Sequence, residues 1–337
     1  MKTQIESYRL MSNENPLGPS PKAVSAIHSF SEKINYYPGW VPKTLKEKLA
    51  TLNAVSPENI SVSSGSYELI NLITRFLINK NEEVLTFDNT FMAYCLSAKR
   101  NRRKCVISKM DSPHCNLKNL KSLQNEKTKA IFFANPNNPT GTIINHDSLR
   151  ELLSTIPKTV FVVSDEAYIE YVTDVSYPDT IQLQKDFPNL IILRTFSKIY
   201  GLAGLRLGYG IASKEIVKKL DQVRILRSLN ALAEKAGEAA IDDIEYVEIS
   251  AKHNATEREK MYREIASLGY NIIPSQANFL YLPFENNDRK NFIYKQLGDQ
   301  GLMVCDLADF GHNKSLRITI GTIEANQKVI DCLGKLI

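Results

Sequence analysis

Ala130-Ile131-Phe132-Phe133-Ala134-Asn135-Pro136-Asn137-Asn138-Pro139-Thr140-Gly141 sets the pattern of the chain: an apolar run the length of a strand that breaks at once into Asn, Pro and Gly. The same transition recurs where Val160-Phe161-Val162-Val163 meets Ser164-Asp165-Glu166-Ala167-Tyr168. It recurs again where Ile191-Ile192-Leu193 meets Arg194-Thr195-Phe196-Ser197-Lys198. Strands apolar on both faces belong to a sheet covered by helices on both sides. In such open sheets, ligands sit beyond the carboxyl ends of the strands. One site is therefore expected to gather an amide, a carboxylate, a phenol, a hydroxyl and a lysine.

Outward from these stretches, short apolar runs alternate with helical ones from about residue 60 to 212, which reads as α/β. Further strands are expected at Glu83-Val84-Leu85-Thr86-Phe87, at Cys105-Val106-Ile107 and at 207–212. Leu69, Leu72, Ile73, Phe76 and Leu77 recur at helical spacing after Gly65-Ser66. Residues 214–268 read as largely helical. Strand-like Asn278-Phe279-Leu280-Tyr281-Leu282, a helix over 288–299, the alternating strand Leu316-Arg317-Ile318-Thr319-Ile320 and a final helix from Glu324 follow. Asn13-Glu14-Asn15-Pro16-Leu17-Gly18-Pro19 is too rich in Asn and Pro for a regular element and reads as an arm. The expected division is an arm over 1–35 joining the small domain, a large domain over 36–245, and a small α/β domain over 246–337.

Composition narrows the function classes. A chain of 337 residues, 43% hydrophobic and 23% charged, is an ordinary globular protein. The net charge of +5 is mild and spread along the chain, so nucleic acid is not an expected partner. The basic stretch from Lys99 to Lys104 reads as a solvated face. No apolar run approaches the ~18 residues of a membrane span, and the N-terminus shows no signal-peptide pattern. Cys95, Cys105, Cys115, Cys305 and Cys332 are odd in number and lack C-x-x-C spacing, which suits free thiols in a reducing, cytoplasmic setting. No His pair stands at metal-ligand spacing, so no metal is expected.

The polar set has a chemistry in common. A lysine can hold a carbonyl cofactor as a Schiff base, and a carboxylate can keep the cofactor's pyridine nitrogen protonated. Lys198 and Asp165 fit those parts, although alone the first reads equally as a surface lysine and the second as a helix N-cap. Ser63-Ser64-Gly65-Ser66, between a short strand and a helix, offers backbone N–H groups to a phosphate; its other reading is a capped helix. Ser197 and Arg206 add side-chain donors, with Gly201 and Gly204 between them.

These residues resemble the fold-type I aminotransferases, and within them the histidinol-phosphate aminotransferase branch. The likeness is carried by Asn135 to Gly141, by Asp165-Glu166-Ala167-Tyr168, and by Ser197-Lys198 followed by Gly201-Leu202-Ala203-Gly204-Leu205-Arg206-Leu207-Gly208. It extends to Ser12 to Gly18, Tyr37-Pro38-Gly39, Ala277-Asn278-Phe279 and Leu316 to Thr322, in the expected order along nearly the whole chain. The resemblance implies pyridoxal 5'-phosphate (PLP) as cofactor, bound covalently by Lys198, which also moves the proton. It implies that Asp165 pairs with the pyridine nitrogen, that Asn138 and Tyr168 bond the ring's phenolic oxygen, and that Phe91 stacks on the ring. Ser66, Tyr67, Ser197 and Arg206 would hold the phosphate, with Tyr37 reaching it from the neighbouring subunit of a homodimer. Arg317 would clamp the substrate's α-carboxylate through two parallel hydrogen bonds, and Asn15 belongs to the implied substrate-binding set. On the strand pattern alone, Arg317 lies on the face opposite Leu316, Ile318 and Ile320.

Two positions depart from the family pattern. Tyr67 stands where an acidic residue is frequent, at a place where only backbone is needed. Cys305-Asp306 stands where the branch carries an arginine followed by proline that binds the substrate phosphate. Cys305 therefore marks a specificity position, and Asp306 would repel a phosphate if it faced the site. The expected activity is amino transfer from an amino acid or amino alcohol phosphate (histidinol-phosphate-like, or aromatic or basic) to a 2-oxo acid such as 2-oxoglutarate. The alternatives are a decarboxylase of the threonine-phosphate type and a non-catalytic PLP-fold binding protein. No P-loop and no dinucleotide-binding glycine motif is present.

Overall fold

The structure, a computed structural model, describes residues 7–337; the first six residues of the expected arm lie outside them. After the three-residue strand β1 (Tyr8–Leu10), the chain builds one sheet from β2 (Ile60–Ser63), β3 (Glu83–Phe87), β4 (Lys104–Ser108), β5 (Thr128–Ala134), β6 (Phe161–Asp165), β7 (Leu190–Thr195) and β8 (Gly208–Ile211). A second sheet comes from β9 (Phe279–Pro283), β10 (Leu302–Asp306) and β11 (Ser315–Thr319). The first has seven strands in the order β2-β8-β7-β6-β5-β3-β4, all parallel except β8. The second has the order β1-β10-β11-β9.

Alternation along β5 shows why the large sheet is apolar on both faces. Ile131 and Phe133 enter one buried core, while Ala130, Phe132 and Ala134 enter the other. Leu190 and Ile192 of β7 divide from Ile191 and Leu193 in the same way. Burying each Leu, Ile or Phe among them contributes about 1.5–3 kcal/mol. A third core lies under the small sheet and takes Leu316, Ile318 and Ile320, which leaves Arg317 on the other face, as the alternation predicts. The expected helical stretch resolves into Lys214–Val223, Ala231–Ile241 and the long helix Ile244–Ser267.

After β3 the chain passes to β4 on one side and then returns to β5 on the other, so the order reverses between β3 and β5. Such a reversal opens a crevice at the carboxyl ends. Because β8 runs antiparallel, its beginning lies at that same edge, which brings the turn before Gly208 to the site.

Strands β1 and β10 escape the sequence pattern. β1 is too short to show alternation and forms by parallel pairing with β10, Tyr8 to Leu302 and Leu10 to Val304. The cysteine expectation also needs correction. Cys95 and Cys105 are joined as a disulfide, their Cα atoms 5.5 Å apart. Their ten-residue separation is no motif, but the helix Ala93–Arg100 turns back into β4 and brings the two side by side. No described helix is long and apolar enough to cross a membrane, and no group of three or more His, Cys, Asp or Glu among the described residues could hold a metal ion.

Candidate active site

At the reversal lies a cavity of about 330 Å³ lined by Ser66, Tyr67, Phe91, Asn138, Asp165, Tyr168, Ser197, Lys198, Arg206 and Arg317, together with Ser12, Asn13, Glu14 and Phe310. Most of the sequence-predicted residues thus meet at one place. Four of them come from the end of a strand or just beyond it: Phe91 follows β3, Asn138 follows β5, Asp165 ends β6, and Lys198 follows β7.

Asp165 is buried, and burial pushes its carboxyl up to about 6. Tyr94 donates to its Oδ2 at 3.0 Å and the Ala167 backbone N–H helps hold the carboxylate charged, while Oδ1 completes no hydrogen bond. A buried carboxylate oxygen without a donor is costly unless a ligand supplies one. Lys198 Nζ donates to the Ser12 carbonyl at 3.0 Å and lies 5.6 Å from the centre of the Tyr168 ring. Desolvation, then the charges of Arg317 and Arg206, lower its ammonium to about 8.

The anion cradle depends on two glycines. Gly65 has φ +79°, and a Cβ there would come within 2.7 Å of the Arg206 guanidinium. A Cβ on Gly208 would meet the Ser66 nitrogen at 2.4 Å. Backbone, guanidinium and helix start can therefore approach one another only because these side chains are missing. Arg206 donates to Ser197 Oγ at 3.5 Å and to the Ala203 carbonyl at 2.9 Å. Tyr67, which also lines the cavity, accepts at its hydroxyl from Arg100.

Arg317 is buried on β11. It donates to Asn138 Oδ1 at 2.6 Å and to the Met11 carbonyl at 2.7 Å, and its Nε is without a partner. Phe279 lies beneath it, ring centre 5.4 Å away.

Four residues singled out in the sequence stand outside the cavity wall. Asn15 donates to the Ile199 carbonyl (2.8 Å) and Ser250 (3.1 Å), pinning the arm to the rest of the molecule rather than facing the cavity. Cys305 pairs across the small sheet with Arg317, in an apolar cluster with Tyr281, Leu307 and Phe310, of which Phe310 lines the cavity. Asp306 does not face the site: its Oδ2 accepts from the buried Lys290 at 2.6 Å. Tyr37 is 82% exposed and stacks under Arg227, away from this cavity within one chain.

Sequence reasoning missed Tyr94 and Asn13. Tyr94 has a signal in hindsight: it stands in the first turn of the helix Ala93–Arg100, three residues after Phe91, and a fully buried tyrosine hydroxyl must find a partner. Asn13 has none beyond its place in the Asn-rich arm.

Strand order, the crevice at its reversal and the lysine–carboxylate–arginine set define a fold-type I transferase. Residues 6–333 match the model of the family "Aminotransferase class I and II", and the chain belongs to that family. A histidinol-phosphate aminotransferase of Anaeromyxobacter sp. (strain Fw109-5) is 39% identical over 330 residues, covering 98% of this chain and 90% of that protein. One from Moorella thermoacetica is 37% identical over 330 residues, 98% of this chain and 85% of that one. The crystal structure of histidinol-phosphate aminotransferase from Sinorhizobium meliloti in complex with pyridoxal-5'-phosphate superposes with a TM-score of 0.88 at 25% identity, over 97% of this chain and 89% of that one.

Proposed function

We propose that the cavity holds PLP on Lys198 and that the enzyme moves an amino group from an amino donor to a 2-oxo acid. The unpartnered Oδ1 of buried Asp165, on the wall that Lys198 also lines, is the observation that carries this reading. A protonated pyridine nitrogen is the donor that this oxygen lacks. The rest of the wall suits the same group: Phe91 offers a ring face, Asn138 and Tyr168 offer donors, and Ser66, Tyr67, Ser197 and Arg206 form the phosphate cradle.

Bound there, PLP supplies an electron sink that lets a proton leave the carbon bearing the amino group. Asp165, ionised against the pyridine nitrogen, keeps that sink charged. Lys198 Nζ, lowered to about 8, can exist as a neutral base near working pH and moves the proton. Arg317 orients the donor through its anionic group, and Phe310 and Glu14 border the space for the remainder.

The donor class is that of the named relatives, histidinol phosphate, or an aromatic or basic amino acid, with 2-oxoglutarate as acceptor. Asp306, turned to Lys290, does not oppose a phosphate here. The working unit is a homodimer in which Tyr37 of each chain reaches the other's cradle, and the location is the cytoplasm.

The test is the absorbance spectrum of the purified protein with PLP, before and after single donors: glutamate, histidinol phosphate, phenylalanine, tyrosine, arginine and lysine. A visible band that one donor converts to a near-ultraviolet one supports amino transfer. Carbon dioxide released without a keto acid would favour the decarboxylase. No visible band, with Lys198→Ala indistinguishable from the unsubstituted protein, would overturn the proposal.

A further inference from the structure

Asn13 is the residue of the arm that reaches deepest into the site. It is buried, has φ 55°, and lines the cavity. Left-handed backbone is tolerated by Asn far better than by most residues. Four hydrogen bonds hold it. Its backbone N–H donates to Thr319 Oγ1 at 3.0 Å, and Thr319 Oγ1 donates to Asn13 Oδ1 at 3.0 Å. Asn278 donates to its carbonyl at 3.1 Å, and Asn13 Nδ2 donates to Tyr168 Oη at 2.9 Å.

The structure gives this chain one direction. The backbone N–H of Asn13 can only donate, so Thr319 Oγ1 accepts there, and its own proton goes to the amide oxygen. The amide therefore turns its oxygen to Thr319 and its nitrogen to Tyr168. An amide nitrogen only donates, so Tyr168 Oη accepts. The phenol's own proton is left over, and among the described residues it has no acceptor. Tyr168 itself lines the cavity, which is where an acceptor for that proton can be supplied.

Thr319 and Arg317 stand two residues apart on β11, hence on one face of the strand. Arg317 reaches Asn138, and Thr319 reaches Tyr168 through Asn13. The strand that holds the substrate's anion is thus linked by hydrogen bonds to both residues assigned to the cofactor's phenolic oxygen.

We infer that Asn13 is a positioning residue for the reaction: by donating to Tyr168 it obliges Tyr168 to give its proton to the cofactor's phenolic oxygen. The inference rests on the reading of Lys198 as the PLP lysine. A donor on that oxygen favours the deprotonated form of the neighbouring Lys198 linkage, so losing the donor makes the linkage hold its proton to higher pH.

The experiment is a pH titration of the visible absorbance band of the PLP-loaded enzyme. The variants are Asn13→Asp, Asn13→Gly, Tyr168→Phe and the double variant Asn13→Gly/Tyr168→Phe. Asn13→Asp keeps the shape but replaces the donor with an acceptor, which takes the phenol's proton for itself. Asn13→Gly keeps the left-handed backbone without the amide. The midpoint is expected to rise by about one pH unit in Tyr168→Phe and in Asn13→Asp, the worth of one such hydrogen bond. Asn13→Gly is expected to rise by part of that, and the double variant to match Tyr168→Phe alone. A midpoint unchanged in both Asn13 variants, or shifts that simply add in the double variant, would overturn the inference. Absence of a visible band in the unsubstituted protein would instead remove the Lys198 assignment, and this inference with it.

Discussion

Tyr94 donates to one oxygen of Asp165 at 3.0 Å and leaves the other oxygen, equally buried, without a donor. The tyrosine fixes the carboxylate's orientation at the wall of the cavity, which Asp165 lines. Both residues hang on the sheet: Asp165 ends β6, and Tyr94 stacks on Phe132 of β5 at 5.4 Å.

The first prediction concerns Asp165→Asn. Because the carboxyl is raised to about 6 by burial, it binds its proton more tightly folded than unfolded. Its ionisation thus works against the cofactor-free fold as pH rises from about 4 through 6. The variant should melt higher than the unsubstituted protein at pH 7 without PLP, by on the order of 1–3 kcal/mol. It should also lose PLP on dialysis, since a neutral amide cannot keep the pyridine nitrogen protonated. Calorimetry of both forms, with and without cofactor, reads the two effects; a lower melting temperature without PLP would contradict the burial argument.

Loading of the cofactor should follow the titration of Lys198. Only the neutral amine attacks a carbonyl, and the ammonium is lowered to about 8. The loading rate should climb with pH up to about 8 and then level off. In Arg317→Gln a neighbouring positive charge is gone, so the plateau should begin at higher pH. Stopped-flow absorbance across pH 6–10 measures both; an unbroken tenfold rise per pH unit to pH 10 would mean that the amine is not perturbed.

Arg317→Gln should also raise KM for the amino donor. Removing charge-assisted hydrogen bonds to an anion costs about 1.5–3 kcal/mol, a fall of roughly 10–100-fold in kcat/KM. A donor lacking the anionic group should be used equally well by both proteins, which steady-state kinetics with paired substrates would show.

For donor preference, Phe310 should matter more than Cys305. Phe310 lines the cavity, while Cys305 lies in the apolar cluster with it. Phe310→Ala should change the ranking of donors in a panel, and Cys305→Ala should leave the ranking in place.

Asp306 is expected to act through stability rather than substrate. Lys290, its side chain 3% exposed, loses its ion-pair partner in Asp306→Asn. Breaking a buried pair costs about 3–5 kcal/mol, tempered here because Asp306 is itself partly exposed. Denaturant unfolding should show the loss, with KM for a phosphorylated donor unchanged.

Much of the site was legible in the sequence because strand ends are local features. An apolar run that stops at Asp165 or Thr195 declares both a strand and the side chains beyond its end, and the alternation of Leu316, Ile318 and Ile320 placed Arg317 on the opposite face. What the sequence by itself determined was therefore the α/β class, the order of elements and the group of residues at the carboxyl edge. Tertiary structure decided what depends on contacts between distant segments. The short strand β1 exists only through β10, Cys95 meets Cys105 because a helix turns back into a strand, and Asp306 turns to Lys290. Asn13 reaches both Thr319, 306 positions away, and Tyr168, 155 positions away. Local periodicity reports which face of an element is apolar; it carries no record of which distant polar group satisfies a buried donor, and that pairing is settled only when the two sheets close around the cavity.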